Sequence, residues 1–430
     1  MWITEDFLHF VWKYQKFNRK HLETTDGENI TVYHQGYHNH DGGPDFEEAR
    51  INIGDVQWCG QVEIHINASD WYRHGHQHDE KYENVILHVV WKADKDVYYR
   101  NAQDQHIPVV ELQPLIPVAM INACRQLMSQ PDQLACSGKF EQINRLKKIT
   151  QLDRMVVRRL QRKAEDVLQL LHYCRGNWQQ TTFVWLARQY GFKLNTEAMM
   201  QLAYAIPVNA LLKHREQLLQ LEALLFGVSG LLQEHDAYTK CLNEEFKFLN
   251  AKYQLEDHVM RRRQWKFMRT RPANFPTVRI AQLAALLHCH ADFLHVLMTE
   301  SATGVLQRHL MGEVSEYWQE HYDFGKQSKK IQQGMGRSSA QLLIMNGIAP
   351  LLAAYGSERG DEQYLERAVR HLEALPPENN KIIRKWHSVD FYPKSALDSQ
   401  GMIEWFNEFC LPRKCLHCPI GVEIVQNKQL

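Results

Sequence analysis

The segment Gln61-Val62-Glu63-Ile64-His65-Ile66 alternates apolar and polar side chains, which is the pattern of a β-strand with one buried face. Residues 85–91 form an almost continuous apolar run, typical of a strand that is buried on both faces. Residues 30–33 and 49–53 also have strand-forming composition, and the second stretch precedes a Gly-Asp turn. These four segments predict a mixed β-sheet within the first 115 residues.

Helical patterns flank this predicted sheet. Before it, Thr4 is a plausible N-cap for an amphipathic helix. After residue 115, apolar residues recur with helical spacing, and glycines or prolines separate the segments. The predicted helices cover residues 140–174, as one long helix or a pair, and residues 178–190, 197–205, 211–226, 244–253, 278–297, 362–375 and 396–409. The sequence therefore predicts an α+β protein with a sheet-bearing module at 1–115, a helical domain at 116–395 and a Cys-rich element at 396–430.

The composition limits the class of protein. Lys+Arg and Asp+Glu both number 50, so the molecule has no net charge that would draw it to nucleic acid or an acidic membrane. The acidic start lacks the features of a signal peptide, and the most apolar stretches, residues 280–298 and 338–355, are interrupted by polar residues. We expect a cytoplasmic protein without membrane spans, in which the nine cysteines are thiols or metal ligands.

A candidate metal site lies in the sheet-bearing module. Asp45 follows a Gly-Gly-Pro turn and leads into a predicted strand, while Glu63 and His65 point to the same side of the next one. We expect these three side chains to converge. Carboxylates favour Mg²⁺ or Mn²⁺, and an imidazole moves the preference toward Mn²⁺, iron or Zn²⁺.

This order of elements resembles the PD-(D/E)XK nuclease superfamily, with restriction-endonuclease-like topology, over roughly residues 4–91. The resemblance implies that Asp45 and Glu63 hold a divalent metal that activates water to attack a phosphodiester. At the third motif position this chain has His65 where the superfamily has lysine. The departure leaves open a nuclease-like fold that binds nucleic acid or protein without cutting.

The segment His74-Gly75-His76-Gln77-His78-Asp79-Glu80 offers an alternative site. Its spacing is similar to the first metal motif of cupins, and it would use His74, His76 and Glu80 as ligands. A polar loop without metal is the simpler interpretation. His88 lies in the apolar strand and is interpreted as a core histidine.

Two further segments suggest binding chemistry. Cys410, Cys415 and Cys418 have ligand spacing for zinc or an iron–sulfur cluster, with Cys136 or Cys124 available as a fourth ligand. In some nucleases of the superfamily named above, three cysteines near the C-terminus belong to such a cluster. A basic segment, residues 261–271, also contains cations that would contact phosphates. A helix face exposed to solvent is the simpler interpretation of this segment. These cations are Arg261, Arg262, Arg263, Lys266, Arg269 and Arg271.

Several longer motifs resemble a bacterial family known as domain of unknown function 2851, over nearly the full length. They are residues 43–46, 60–65, 69–71 and 85–90, then Arg271-Pro272-x-Asn274-Phe275-Pro276-Thr277 with Arg279-Ile280-Ala281-Gln282-Leu283, and finally Lys414-Cys415-Leu416-x-Cys418-x-Ile420-Gly421. This resemblance implies a domain layout and carries no activity. The leading functional expectation is a metal-dependent phosphodiesterase acting on nucleic acid, with Asp45, Glu63 and His65 as its catalytic residues.

Overall fold

A computed structural model describes residues 3–39, 42–98, 106–128, 134–268, 271–289, 293–327 and 334–426. The chain forms two compact units. The first contains residues 1–151, 384–391 and 405–430, and the second contains residues 152–383 and 392–404. Segments from both ends of the sequence therefore belong to the first unit.

A six-stranded mixed sheet is the centre of the first unit. Its strands are β1 (Ile30–His34), β2 (Tyr37–His38), β3 (Phe46–Ile53), β4 (Val56–Asn67), β5 (Val85–Lys92) and β6 (Val109–Glu111). The order is β1-β3-β4-β5-β6, with β2 pairing with β3. Strands β1, β2 and β4 each pair antiparallel with β3, whereas β4 pairs parallel with β5, and β5 parallel with β6. In the second unit, β7 (His321–Asp323) and β8 (Lys326–Gln327) form an antiparallel pair.

The local sequence explains why this sheet forms. Strand β5 is buried at every position except Lys92, as expected for an apolar strand with a parallel neighbour on each side. Gly60 lies where β4 approaches β5, and a Cβ at this position would be 2.5 Å from Cγ2 of Ile86. Glycine is therefore required for this pairing.

Helices make up most of the remaining chain. They are α1 (Glu5–Lys13), α2 (Asp70–His74), α3 (Val118–Met128), α4 (Ser137–Phe140), α5 (Arg145–Tyr173), α6 (Trp178–Tyr190), α7 (Thr196–Ala205), α8 (Val208–Lys213), α9 (Leu218–Ser229), α10 (Ala237–Tyr253), α11 (Pro276–Cys289), α12 (Phe293–Thr299), α13 (Thr303–Leu310), α14 (Glu316–Glu320), α15 (Arg337–Leu343), α16 (Ala349–Arg359), α17 (Glu362–Glu373), α18 (Lys381–His387), α19 (Ala396–Trp405) and α20 (Pro419–Gln426). A π-helical segment, Ile344–Ile348, connects α15 to α16, and another, Phe406–Cys410, continues α19. The predicted α+β class is confirmed.

The predicted helices differ from the observed ones mainly where the structure interrupts a helix that the sequence predicts as continuous. The side chain of Thr4 accepts a hydrogen bond from the amide of Phe7, so the predicted N-cap of α1 is confirmed. The predicted helix at 211–226 is instead two helices, α8 and α9. Between them, His214 leaves the helical path and its Nε2 lies 3.0 Å from the hydroxyl of Tyr253. A tertiary contact of this kind is not visible in an apolar repeat.

A buried carboxylate in the second unit is paired with two arginines. The carboxylate of Glu404 on α19 accepts hydrogen bonds from Arg159 (3.2 Å) and from Nε of Arg162 (2.7 Å), both on α5.

Residues 337–359 form one helix that has the length and composition of a membrane span, and 72% of its apolar stretch is buried within the protein. The bent pair α11 and α12 passes the same test when taken together. Core helices of soluble proteins also have these properties.

Candidate metal centre

Asp45, Glu63 and His65 lie together, as predicted. The amide of Asp45 donates a 3.1 Å hydrogen bond to Oε2 of Glu63, and Oδ2 of Asp45 accepts one of 2.9 Å from the amide of Ile64. Oε1 of Glu63 is 3.4 Å from Nε2 of His65. Both Glu63 and His65 are buried, with 5% and 2% exposure. The predicted convergence is therefore confirmed, whereas the catalytic roles of these residues stay predictions.

Two further histidines join this group. Helix α2 ends at His74, and Gly75 follows with φ = 79°, a left-handed conformation that turns the chain so that His76 returns beside His74. Nε2 of His65 lies 3.0 Å from Nδ1 of His74 and 3.3 Å from Nε2 of His76. One nitrogen from each ring lies within 4.8 Å of the other two. This group of three imidazoles could hold a metal ion.

Glu63 also faces this group. Its Oε1 is 3.4 Å from Nε2 of His76, the same separation as from His65. Glu80, the carboxylate of the cupin-like alternative, is exposed on a 3-10 turn and does not belong to the three-histidine group found among the described residues. The carboxylate beside the histidines is thus Glu63. The histidines of the cupin-like alternative and the residues of the nuclease-like motif therefore belong to one site.

Burial and neighbouring charges shift the pKa values of the carboxylate and the imidazoles in this site. Burial and the nearby Asp45 hold the pKa of Glu63 well above its usual range. Burial and neighbouring imidazoles lower the pKa of His65 to about 2, and burial also lowers the pKa of His76. His65 and His76 are therefore neutral at physiological pH, which is the form that ligates metals. A bound cation would favour the ionised form of Glu63.

His88 fixes the orientation of His65. Nε2 of His88 lies 2.8 Å from Nδ1 of His65, and His88 is completely buried on β5. Since Nε2 of His65 faces the other ligands, Nδ1 would carry the proton and donate to His88. The interpretation of His88 as a core histidine is correct for its burial but misses this contact.

Aromatic packing positions His76. Its ring stacks on Tyr82 with centroids 3.9 Å apart, and Trp71 packs edge-on at 5.3 Å. Both contacts limit rotation of the imidazole, so its nitrogen stays directed toward His65. The alternation of β4 does not reveal these residues, because they follow it in an irregular segment.

His9 on α1 is another residue that the sequence analysis missed. Its Nε2 lies 3.2 Å from Oδ2 of Asp45. Burial opposes a positive charge on His9, but the contact with Asp45 outweighs it and raises the pKa of His9. Asp45 is thus occupied by His9 and the Ile64 amide. The apolar stripe of α1 gave no indication of this polar contact.

Three cysteines of the first unit lie close together in sequence near the C-terminal end of the described chain. Cys410 ends the π-helical segment, while Cys415 and Cys418 are buried with 8% and 6% exposure. The indole nitrogen of Trp405 donates to Sγ of Cys418 at 3.4 Å. Gly421 permits the tight turn, because a Cβ there would lie 2.1 Å from the carbonyl oxygen of Cys415.

Cys136 interacts electrostatically with Cys410, Cys415 and Cys418. Burial raises the pKa of Cys136 to about 12, with further contributions from Cys418 and Cys415, and Cys136 in turn contributes to the raised pKa of Cys410. Burial also raises the pKa of Cys124 to about 12, with a further contribution from Cys415. Among the described residues, the only group of three or more ligand atoms within 4.8 Å of one another is the histidine group, so the structure does not bring these thiols together as a metal site.

The basic segment is folded differently from the expected helix. Arg262–Gln264 forms a single 3-10 turn, and Arg262 lies 3.6 Å from Asp323. Trp265 is buried and donates to the carbonyl of Ser229, so it is not available for base stacking. The remaining described cations, Arg261, Arg263, Lys266 and Arg271, are exposed, and Arg269 lies outside the described residues.

Comparison with known proteins identifies the family. The family model described as "Protein of unknown function (DUF2851)" matches residues 5–381. Neither a curated protein nor a solved structure matches the chain. The resemblance to PD-(D/E)XK nucleases is therefore not confirmed. Since the matched region covers most of the sequence, including the sheet and its histidine group, the chain belongs to the DUF2851 family.

Proposed function

We propose that the first unit is a metal-dependent phosphodiesterase whose metal is held by His65, His74 and His76. The observation that carries this proposal is the close approach of three imidazole nitrogens, with Oε1 of Glu63 3.4 Å from two of them. Three protein ligands that leave one position for water are typical of catalytic zinc sites.

The separations between donor atoms support a small transition-metal ion. Tetrahedral ligands about 2.0–2.1 Å from zinc lie roughly 3.4 Å from one another. The observed separations of Nε2 of His65 from the ligand nitrogens of His74 and His76 are 3.0 and 3.3 Å. Imidazole ligands favour zinc, iron or manganese over magnesium. We therefore propose Zn²⁺ or Mn²⁺, where the sequence alone favoured Mg²⁺ or Mn²⁺.

The protein groups around the ion have distinct proposed roles. A bound metal would supply an activated water. Glu63 would accept the proton of that water through Oε1, since its Oε2 is held by the amide of Asp45. His65 is a ligand that His88 orients, and Asp45 acts as a positioning residue for Glu63.

Nucleic acid is the proposed substrate class. Exposed arginines at 261 and 263 and a lysine at 266, all in the second unit, support contacts with phosphates. The presence of His65 in place of a lysine favours a second candidate, a nuclease-like module that binds nucleic acid or protein without cutting. If both bind nucleic acid, the two candidates differ only in whether they cleave it.

The four-cysteine group has a proposed structural role. We propose that Cys136, Cys410, Cys415 and Cys418 bind zinc or an iron–sulfur cluster. Ligation would ionise thiols whose burial otherwise keeps them protonated, and this coupling stabilises folding. Because Cys136 is distant in sequence from the other three, the ligand would tie the C-terminal segment to the body of the first unit.

One experiment tests the hydrolase. Metal-free protein is reloaded with Zn²⁺, Mn²⁺ or Mg²⁺ and incubated with single- and double-stranded DNA and RNA, and wild type is compared with His65→Lys. We expect cleavage by the zinc or manganese form, and loss of both metal and cleavage in His65→Lys. Binding without cleavage across metals and pH would support the second candidate. A His65→Lys variant that keeps its metal and cuts faster would show that the proposed ligand set is wrong.

A further inference from the structure

A buried arginine in the second unit has no anionic partner among the described residues. Arg279 lies on α11 with 5% exposure, and its described partners are neutral oxygens of Gln282, Asn274 and Ser339. Its Nε makes no hydrogen bond. A buried cation without a counter-charge destabilises a fold unless something compensates for the lost hydration.

The guanidinium lies at a pocket of about 440 Å³. Two other cations, Arg271 and Lys193, line the same pocket and are exposed. Tyr190 also lines it, and the hydroxyl of this residue is fully buried without a hydrogen-bond partner. The residues that line the pocket therefore carry three positive charges, and two of their donor atoms have no hydrogen-bond partner. A volume of this size is suitable for a small molecule.

One residue that lines the pocket, Phe192, has an unusual backbone conformation. Phe192 has φ = 47°, a left-handed conformation that is costly for an aromatic residue. Its ring supports the guanidinium of Arg279, with Cζ 4.0 Å from the ring centroid. Asn195 holds this turn in place by accepting from the amide of Lys266 at 2.8 Å and donating to its carbonyl at 2.9 Å. The strained turn thus fixes the plane and position of the arginine.

The remaining walls indicate the chemistry of the ligand. Leu194, Met199 and Leu342 provide an apolar side, opposite in character to the cationic group. Asn274 and Pro276 place the start of α11 at the pocket, where the positive end of the helix dipole favours anions. Three cations with donors suit a phosphate, and the apolar wall suits an organic body attached to it.

We propose that this pocket binds a small organic phosphate, with the phosphoryl group on Arg279 and Arg271 and the organic part against Leu194, Met199 and Leu342. The motif that contains Arg271, Asn274 and Arg279 lies around one site, which gives it a function separate from the metal centre of the first unit. This proposal does not depend on the phosphodiesterase proposal.

The test measures thermal stability and calorimetric binding with inorganic phosphate, pyrophosphate and adenosine monophosphate, against sodium chloride at equal ionic strength. We expect the melting temperature to rise with each phosphate compound and most with adenosine monophosphate, because the organic part adds apolar contacts. Arg279→Gln should abolish the rise. Arg271→Gln, at an exposed position, should weaken binding about tenfold or more.

Arg154→Gln is the matched control, since Arg154 is an exposed arginine of the same unit outside the pocket. It should bind like wild type. An equal rise in Arg279→Gln and wild type would overturn the proposal, as would the absence of any rise with all three compounds. If Arg279→Gln does not fold, wild-type affinity in Arg271→Gln would be the overturning result.

Discussion

The amide of Asp45 donates to Oε2 of Glu63 at 3.1 Å, while the carboxylate of Asp45 accepts from the residue next to Glu63, Ile64, at 2.9 Å. This reciprocal pair joins the entry of β3 to the middle of β4. It leaves Oε1 of Glu63 free to face the imidazoles of His65 and His76, each 3.4 Å away. The turn that precedes β3 therefore determines the orientation of the carboxylate in the proposed metal site.

We expect His76→Ala to lose the metal and His78→Ala to keep it. His78 lies two residues further on and is exposed, outside the group of three ligands. Loss of an outer-shell partner weakens metal affinity 10–100-fold, so loss of a direct ligand should weaken it by at least about a hundredfold. Elemental analysis of both variants, purified without chelator, gives the metal content per chain. Equal metal in the two variants would contradict the ligand assignment.

The two carboxylates should respond differently to neutral substitution. Glu63→Gln removes the anion beside the histidines, so we expect hydrolysis to disappear and metal affinity to fall at least tenfold. Asp45→Asn retains an oxygen for the Ile64 amide and should keep both fold and metal. Asp45→Ala leaves that amide unpaired and should lower the free energy of unfolding by about 1–3 kcal/mol.

Metal titration and denaturant unfolding of these three variants provide the measurements. A loss of metal in Asp45→Asn as large as that in Glu63→Gln would establish Asp45 as a direct ligand, as the motif resemblance implies. The unfolding data for Asp45→Ala separate that result from simple destabilisation.

The cysteine group should bind its own metal independently of the histidines. Anaerobically purified wild type should contain more zinc or iron per chain than Cys136→Ser and Cys418→Ser, and the same amount as Cys59→Ser, whose cysteine is exposed on β4. An iron–sulfur cluster would add visible absorbance and acid-labile sulfide, whereas zinc would add neither. Unchanged zinc and iron in Cys136→Ser would rule out the proposed fourth ligand.

Buried Glu222 should make the second unit less stable as pH rises. Its carboxylate accepts hydrogen bonds from Tyr238 and Ser315 at 2.8 Å each, yet burial raises its pKa to about 7 from 4.5. Between these values the native state retains a proton that the unfolded state has lost. Stability is therefore greatest below pH 4.5 for this group and declines as pH approaches and passes 7.

Glu222→Gln should remove this dependence. At pH 8 it should raise the free energy of unfolding by up to about 3 kcal/mol, which is the value of 2.5 pKa units. Glu216→Gln, at an exposed glutamate nearby in sequence, should show the wild-type pH profile. Urea unfolding at pH 5, 6, 7 and 8 provides the comparison. A parallel decline in wild type and Glu222→Gln would show that Glu222 is not responsible.

Much of the fold follows from local patterns. The alternation at 61–66 and the apolar run at 85–91 predicted β4 and β5, and Thr4 and Asn177 begin helices that the sequence predicted. These features succeed because side-chain periodicity and end capping depend on neighbours within a few residues. The same alternation placed Glu63 and His65 on one face of β4.

Other features depended on contacts that the sequence pattern does not contain. The histidine loop and the strand motif appeared to be competing sites, but the left-handed turn at Gly75 brings His74 and His76 to His65. Likewise, Cys136 interacts with cysteines from the far end of the chain. Long-range proximity is decided by how packed elements close on one another, and spacing along the chain does not encode it.

The sequence by itself therefore determined the α+β class, the main helices and strands, and the residue types available for metal binding. Only the tertiary structure decided that Glu63 faces three histidines, that Trp265 is buried rather than free to stack, and that Arg279 lies in a pocket without an anionic partner among the described residues. The physical reason is that local propensity acts over a few residues, whereas burial and ligand geometry arise from elements that meet after the chain has folded.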